Sequence, residues 1–177
     1  DKQSFTCPQN GFLEDGKLNL PKFREGIEIR VHRQFKGEIK SITVSKTPTG
    51  KYFASILTDN KKPFPNKKPI AENTAVGIDL GIKSFIACSD GEKLDNPQYL
   101  RANLVRLKWM QRQFNRKKKG SNRRKVWRHR VAKKHEQIAN QRKDFLHKES
   151  FAITKRYDTV CMETLKKKNM LKNHKLA

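Results

Sequence analysis

Two acidic residues stand out by their setting. Asp79 lies in the apolar run Ala75-Val76-Gly77-Ile78-Asp79-Leu80, and Glu163 ends the run Asp158-Thr159-Val160-Cys161-Met162-Glu163. If the two runs are neighbouring strands, their carboxylates repel each other unless a cation sits between them. Mg²⁺ (or Mn²⁺) suits such a pair, because it takes oxygen ligands and accepts one or two protein carboxylates beside substrate phosphates. Two such ions stabilise the attacking and leaving oxygens of a phosphodiester displacement. Asp79 and Glu163 are therefore the candidate catalytic and metal-ligating residues. Gly77 and Gly81 flank Asp79, and their lack of side chains is expected to let a phosphate backbone approach.

The elements between these carboxylates must bring them together. Residues 75–80 and 82–89 read as strands, Asp90-Gly91 as a tight turn, and Lys93-Leu94 as a short third strand of a meander. Leu100, Leu104, Leu107, Met110 and Phe114 recur at helical spacing. Val126, Val131, Ile138, Phe145 and Ile153 make a thinner stripe on a second helix. Gly120 and Ser121 mark the bend of a helical hairpin at about 98–156. In a βββαβ unit with a right-handed crossover, the first and fourth strands can be parallel neighbours. Their carboxyl ends then form the edge where open α/β sheets place ligands.

Upstream, residues 1–60 read as β. The runs Ile27-Ile29-Val31, Ile39-Ile42-Val44 and Tyr52-Phe53-Ile56-Leu57 suggest a small antiparallel barrel, with Thr47-Pro48-Thr49-Gly50 as a turn. One member of Tyr52-Phe53 is expected in its core. Residues 59–74 carry three prolines and read as a boundary. The expected organisation is a barrel-like segment over 1–70 and an α/β domain over 71–177. Cys7, Cys88 and Cys161 form no CxxC pair, so no zinc site is expected, and they read as reduced, buried small hydrophobes. No run of about 18 apolar residues spans a membrane, and the first residues lack a signal peptide's apolar core. A cytoplasmic protein is expected.

Charge points to the partner. The chain holds 41 Lys+Arg against 17 Asp+Glu, a net of +24. Residues 1–100 carry +4 of this and residues 101–177 carry +20. Residues 101–143 alone hold 17 Lys+Arg and one acid, Glu136. Such a concentration is hard to hold compact without counter-charge and seeks a polyanion. Arg112, Arg116, Lys117, Lys118, Lys119, Arg123, Arg124, Lys125, Arg128 and Arg130 are the candidate nucleic-acid-binding residues. Trp109 and Trp127 sit among them as core anchors or as stacking platforms for bases. The five histidines are not at metal-ligand spacing and read as structural or surface residues.

Several strings resemble one family. Val76-Gly77-Ile78-Asp79-Leu80-Gly81-Ile82-Lys83 resembles the first RuvC motif of TnpB (OrfB) proteins of insertion sequences, which are RNA-guided DNA endonucleases related to type V CRISPR effectors. Asn96-Pro97-Gln98-Tyr99-Leu100-Arg101, Arg116-Lys117-Lys118-Lys119-Gly120-Ser121 and residues 137–148 continue the resemblance. Met162-Glu163-Thr164-Leu165 with Asn169-Met170 resembles the second RuvC motif. Leu18-Asn19-Leu20-Pro21-Lys22 and residues 45–53 resemble the family's wedge domain.

The resemblance implies an α/β fold of the RNase H-like (RuvC) type from about residue 75, preceded by a wedge β segment. It implies a guide RNA and a target DNA as partners. It also implies that the hairpin contacts guide RNA or the heteroduplex, and that Lys46 or Lys51 meets a guide-RNA phosphate. The family's third catalytic Asp and its zinc ribbon lie further downstream, and its recognition domain lies elsewhere, so a truncated protein is expected, weak or inactive by itself. A catalytically inactive, RNA-guided DNA-binding repressor is the alternative. The Gly-Ile-Asp-Leu-Gly string also occurs in actin-like ATPases, but these continue with Thr or Ser where Ile82-Lys83 stands here.

The charge pattern sets a first prediction. If the hairpin engages six to ten phosphates, affinity for nucleic acid falls about 10³–10⁵-fold between 50 and 200 mM salt in a filter-binding titration. A flat salt dependence contradicts phosphate tracking.

Overall fold

The computed structural model describes residues 3–64, 66, 69–81 and 84–164. Ile82, Lys83 and residues 165–177, with Asn169, Met170 and His174, lie outside the described residues, as does the family-like string that they complete. The chain divides into two compact units. One comprises Asp1–Asn66 with Gln113–Lys133, and the other Lys67–Arg112 with Lys134–Ala177.

The first unit holds two small antiparallel sheets. Strand β1 (Gln3–Cys7) precedes β2 (Phe12–Glu14), β3 (Lys17–Asn19) and β4 (Ile27–Glu28), which form one sheet in the order β2-β3-β4. The long strands β5 (Glu38–Lys46) and β6 (Tyr52–Asp59) pair with each other, and β1 adds to β5. A bulge between Ile39 and Ser41 shifts the β5–β6 register. The turn after β5 is closed by Gly50 N–H to Thr47 O at 2.9 Å, and Gly50 takes a φ of +86° that favours glycine.

Leu18, Leu20 and Ile42 form the core, with Cys7, Leu13, Ile27, Ile29, Ile39, Val44 and Ile56 packed against them. Both sheets thus bury their apolar faces against one cluster, with strand pairings that stay separate rather than closing into a ring. The expected strand over Ile27-Ile29-Val31 is cut to two residues. Ile29 N–H turns instead to Gly16 O at 3.1 Å, and the chain leaves the sheet.

Tyr52 and Phe53 correct the sequence expectation, because they are 65% and 56% exposed. The alternation of β6 explains this. Ile56 faces the core opposite Ile42, which puts Phe53 on the outer face, and Tyr52 pairs with Lys46 at the turn end, four pairs past Ile42. The Lys46 ammonium lies 5.1 Å from the Tyr52 ring centroid.

The second unit is a four-stranded sheet with helix against it. Strands β7 (Ala75–Asp79), β8 (Ser84–Cys88) and β9 (Lys93–Asp95) form the antiparallel meander. Helix α1 (Tyr99–Asn115) and helix α2 (Asn122–Arg156) follow, and β10 (Thr159–Met162) returns to pair with β7, giving the order β10-β7-β8-β9. This is a mixed α/β arrangement. Val76, Ile78 and Ile86 are buried, and Ile153, Tyr157, Leu94 and Val160 pack on them. Phe145 meets Phe85 edge-on at 5.1 Å and Tyr99 at 6.1 Å.

The helical stripes are thinner than their spacing suggests. Leu107 and Ile138 are the buried members among the described residues, while Leu100 and Val126 are exposed. Trp109 is 51% exposed, so it is no core anchor. Cys161 is exposed on β10 and Cys7 and Cys88 are half-buried, so the cysteines are less enclosed than expected. Among the described residues, no helix is long and apolar enough to cross a membrane.

Core position predicts mutational cost. Ile42→Ala is expected to lower unfolding free energy by about 2–5 kcal/mol in urea denaturation. Leu57→Ala, on the exposed face of β6, is expected to change it by less than about 0.5 kcal/mol. Equal effects would contradict the placement of the core.

Candidate functional site

Strand register places the two candidate carboxylates. β10 runs parallel to β7, with Thr159 opposite Ala75, Val160 opposite Val76, Cys161 opposite Gly77 and Met162 opposite Ile78. Continued by one residue, the same register would bring Glu163 beside Asp79. Neighbouring strands lie about 4.8 Å apart, and laterally paired residues point to the same side. Both residues are exposed at the carboxyl end of the sheet. Two carboxylates there supply hard oxygen donors to one open spot. That donor set fits a Mg²⁺ or Mn²⁺ ion that keeps water or phosphate oxygens on its remaining positions. Among the described residues, no group of three His, Cys, Asp or Glu side chains gathers around a common point.

The glycines around Asp79 have local duties. Gly77 N–H donates to Ser89 Oγ at 3.0 Å, and Ser89 N–H donates to Gly77 O at 2.9 Å. A Cβ on Gly77 would only touch the Ser89 side chain at 3.5 Å. A Cβ on Gly81 would lie 2.8 Å from the Ser84 carbonyl oxygen. Gly81 is thus required by the close return of the chain into β8, a different reason from the phosphate approach expected from sequence.

A clamp that sequence reasoning missed holds β10 in register. Arg156, at the end of α2, bonds Glu92 and lies 3.4 Å from Asp90 Oδ2. Tyr157 donates its hydroxyl to Asp90. Asp158 N–H donates to Thr74 O at 3.0 Å, one residue before each strand begins. The Tyr157 hydroxyl, the Glu92 backbone N–H and the nearby Arg156 charge together hold the Asp90 carboxyl below its ordinary value. The same bond raises Tyr157. Burial, with Asp90 and Glu92 adding to it, pushes the neighbouring Cys88 thiol up. The only sequence signal was a pair of acids around Gly91 in a strongly basic chain.

The basic candidates occupy several environments. Arg112 lies in the last turn of α1, and Arg116, Lys118 and Lys119 are exposed in the bend. Arg123, Lys125, Arg128 and Arg130 are exposed along the first turns of α2. Ser121 caps α2, accepting from Arg124 N–H at 3.2 Å. Arg124 is half-buried, and its guanidinium donates to Lys117 O at 2.8 Å and to Phe114 O at 3.4 Å. Arg130 lies over the Trp127 ring at 5.1 Å. Lys46 is half-buried on β5, and Lys51 is exposed in the turn after it. The pairing His135–Gln111 at 3.5 Å gives one histidine a contact between the helices.

The clamp gives a pH prediction. Asp90 is depressed when folded, so its contribution is present above the ordinary Asp value of about 3.9 and is lost as pH falls below it. Amide exchange of β10 is expected to accelerate below that value, and Asp90→Asn should produce faster exchange already at pH 7. Unchanged β10 protection in Asp90→Asn would contradict the clamp.

Comparison with known proteins agrees on one lineage. Residues 53–174 match the family model OrfB_IS605, described as "Probable transposase". The chain is 42% identical over 166 residues to a "Putative RNA-guided DNA endonuclease" of Streptomyces pristinaespiralis, covering 92% of this chain and 40% of that protein. It is 34% identical over 172 residues to "Putative RNA-guided DNA endonuclease InsQ" of Escherichia coli strain K12, covering 96% of this chain and 42% of the relative. The chain therefore spans about two fifths of the length of these curated relatives. The family match takes in Asp79, the basic hairpin and Glu163 together, and the chain belongs to the TnpB (OrfB) family of insertion-sequence proteins.

Proposed function

We propose that this chain carries part of the RuvC-like nuclease site of an RNA-guided DNA endonuclease of a transposable element, together with a wedge-like β segment. The observation that supports the reading is the parallel register of β10 on β7 up to Met162 opposite Ile78, which continued by one residue would bring Glu163 beside Asp79. In this reading the sheet and helices belong to an RNase H-like fold. Asp79 and Glu163 hold Mg²⁺ or Mn²⁺ and orient the scissile phosphate. The bound metal supplies charge stabilisation of the attacking and leaving oxygens. A third carboxylate from elsewhere in a longer protein completes the site. The exposed Lys and Arg of the hairpin bind the phosphates of guide RNA or target DNA. Such contacts give affinity without reading sequence, which base pairing with the guide supplies. The place of action is then the cytoplasm.

A second reading has its own support. Among the described residues, no cluster of three ligands forms. A protein that binds DNA under RNA guidance and represses without cutting fits that incomplete donor set.

The test uses the 177-residue chain with labelled RNA and DNA in Mg²⁺ or Mn²⁺. Retention of nucleic acid is expected, with cleavage weak or absent. Any metal-dependent nicking should fall to background in Asp79→Ala and in Glu163→Gln while binding is unchanged. Nicking that persists in both variants rejects the carboxylate assignment. Failure to retain RNA at low salt rejects the nucleic-acid reading. Binding without nicking in a longer protein that supplies the third carboxylate selects the repressor.

A further inference from the structure

The bend between α1 and α2 forms an open pocket of about 360 Å³, lined by Phe114, Gly120, Ser121, Arg124, Lys125 and Arg128. That volume lies within the range of small-ligand sites. Its composition is unusual for a solvated bend, since it joins one aromatic ring, one hydroxyl and three cations.

Arg124 is the part that decides the chemistry. Its guanidinium lies over the Phe114 ring, 4.2 Å from the centroid. It also donates to Lys117 O at 2.8 Å and Phe114 O at 3.4 Å. Ring and carbonyls together hold the planar group still. An arginine that merely tracks phosphates keeps a mobile head, whereas one terminal nitrogen of this one is tied to the protein backbone. What it still offers is a flat, cationic face. Guanidinium planes, like aromatic rings, are platforms on which unpaired bases stack. Lys125 and Arg128 line the same pocket and are exposed, so their charges remain available to a backbone phosphate.

We infer that the hairpin bend is a pocket for one unpaired nucleotide, in which Arg124, backed by Phe114, stacks the base while Lys125 and Arg128 hold the adjoining phosphate. This rests on the nucleic-acid reading above and deepens it by separating a base-stacking site from the phosphate-tracking charges. It selects single-stranded nucleic acid over a duplex, because a paired base cannot reach a platform in a pocket. RNA and DNA offer the same base and phosphate, and the test separates them.

The probe is a short single strand with one 2-aminopurine, made as RNA and as DNA, and the same strand annealed to its complement. With the intact chain, the fluorescence of the unpaired analogue is expected to fall at least two-fold on saturation. The duplex should bind about ten-fold more weakly. Arg124→Lys keeps the charge but removes the plane. It should lose most of the quenching while helicity by circular dichroism is retained. Phe114→Leu should weaken quenching in the same direction, which keeps the test decisive if Arg124→Lys unfolds the bend. Lys125→Ala with Arg128→Ala should lower the salt slope by about 2 and leave the quenching at saturation intact. Stronger quenching of the RNA or of the DNA strand identifies the natural source. Equal binding of strand and duplex, or full quenching in folded Arg124→Lys, overturns the pocket while leaving the phosphate-tracking reading standing. Loss of all binding at low salt overturns both.

Discussion

The parallel pairing of β10 with β7 is the constraint on which the site depends. A parallel pair cannot be closed by a tight turn, so the chain must travel out and return before the fourth strand can lie beside the first. Here the excursion is the helical hairpin, and the return is fixed where α2 ends. Ile153 and Tyr157 pack on Val76, Ile78 and Ile86, Arg156 and Tyr157 grip Asp90 and Glu92, and Asp158 N–H meets Thr74 O. A slip of one residue in β10 would move Glu163 to the opposite face and away from Asp79. Apolar burial and the polar clamp act on the same joint, so the position of the candidate carboxylate Glu163 depends on residues that have no part in the proposed chemistry.

The hairpin divides its positive charge between two physical roles. Most of its Lys and Arg are exposed and free to change position, which suits a moving phosphate backbone. Arg124 is different, because one terminal nitrogen donates to Phe114 O in the last turn of α1 and to Lys117 O in the bend, and its plane lies over Phe114. In the proposed reading, structure and recognition are joined at the bend. The group that closes the end of one helix against the start of the next also presents a flat surface. A charge count cannot separate these roles, although they respond differently to salt.

Much of this was legible in sequence for identifiable reasons. The meander of β7, β8 and β9 follows from short apolar runs and the turn at Asp90-Gly91. The hairpin follows from helical spacing interrupted at Gly120-Ser121. The parallel pairing of β7 and β10 was reachable because few connections suit a βββαβ order. Burial was harder to read. Tyr52 and Phe53 look like core residues by type, yet strand phase and position at a turn leave them exposed. Leu100 and Val126 fall on stripes that find no covering layer among the described residues. The clamp of Asp90 and Glu92 with Arg156 and Tyr157 joins residues far apart in the chain, and no local pattern announces it. The duty of Gly81 depends on the path of Ser84, which only coordinates reveal.

The central claim is that Asp79 and Glu163 act as one ligand pair. Titration of the chain with Mn²⁺, followed by electron paramagnetic resonance, reads that pairing without requiring cleavage. One class of bound Mn²⁺ should be lost in Asp79→Asn and equally in Glu163→Gln, with no further loss in the double variant. Unchanged Mn²⁺ binding in either variant, or losses that add in the double variant, would contradict a shared site.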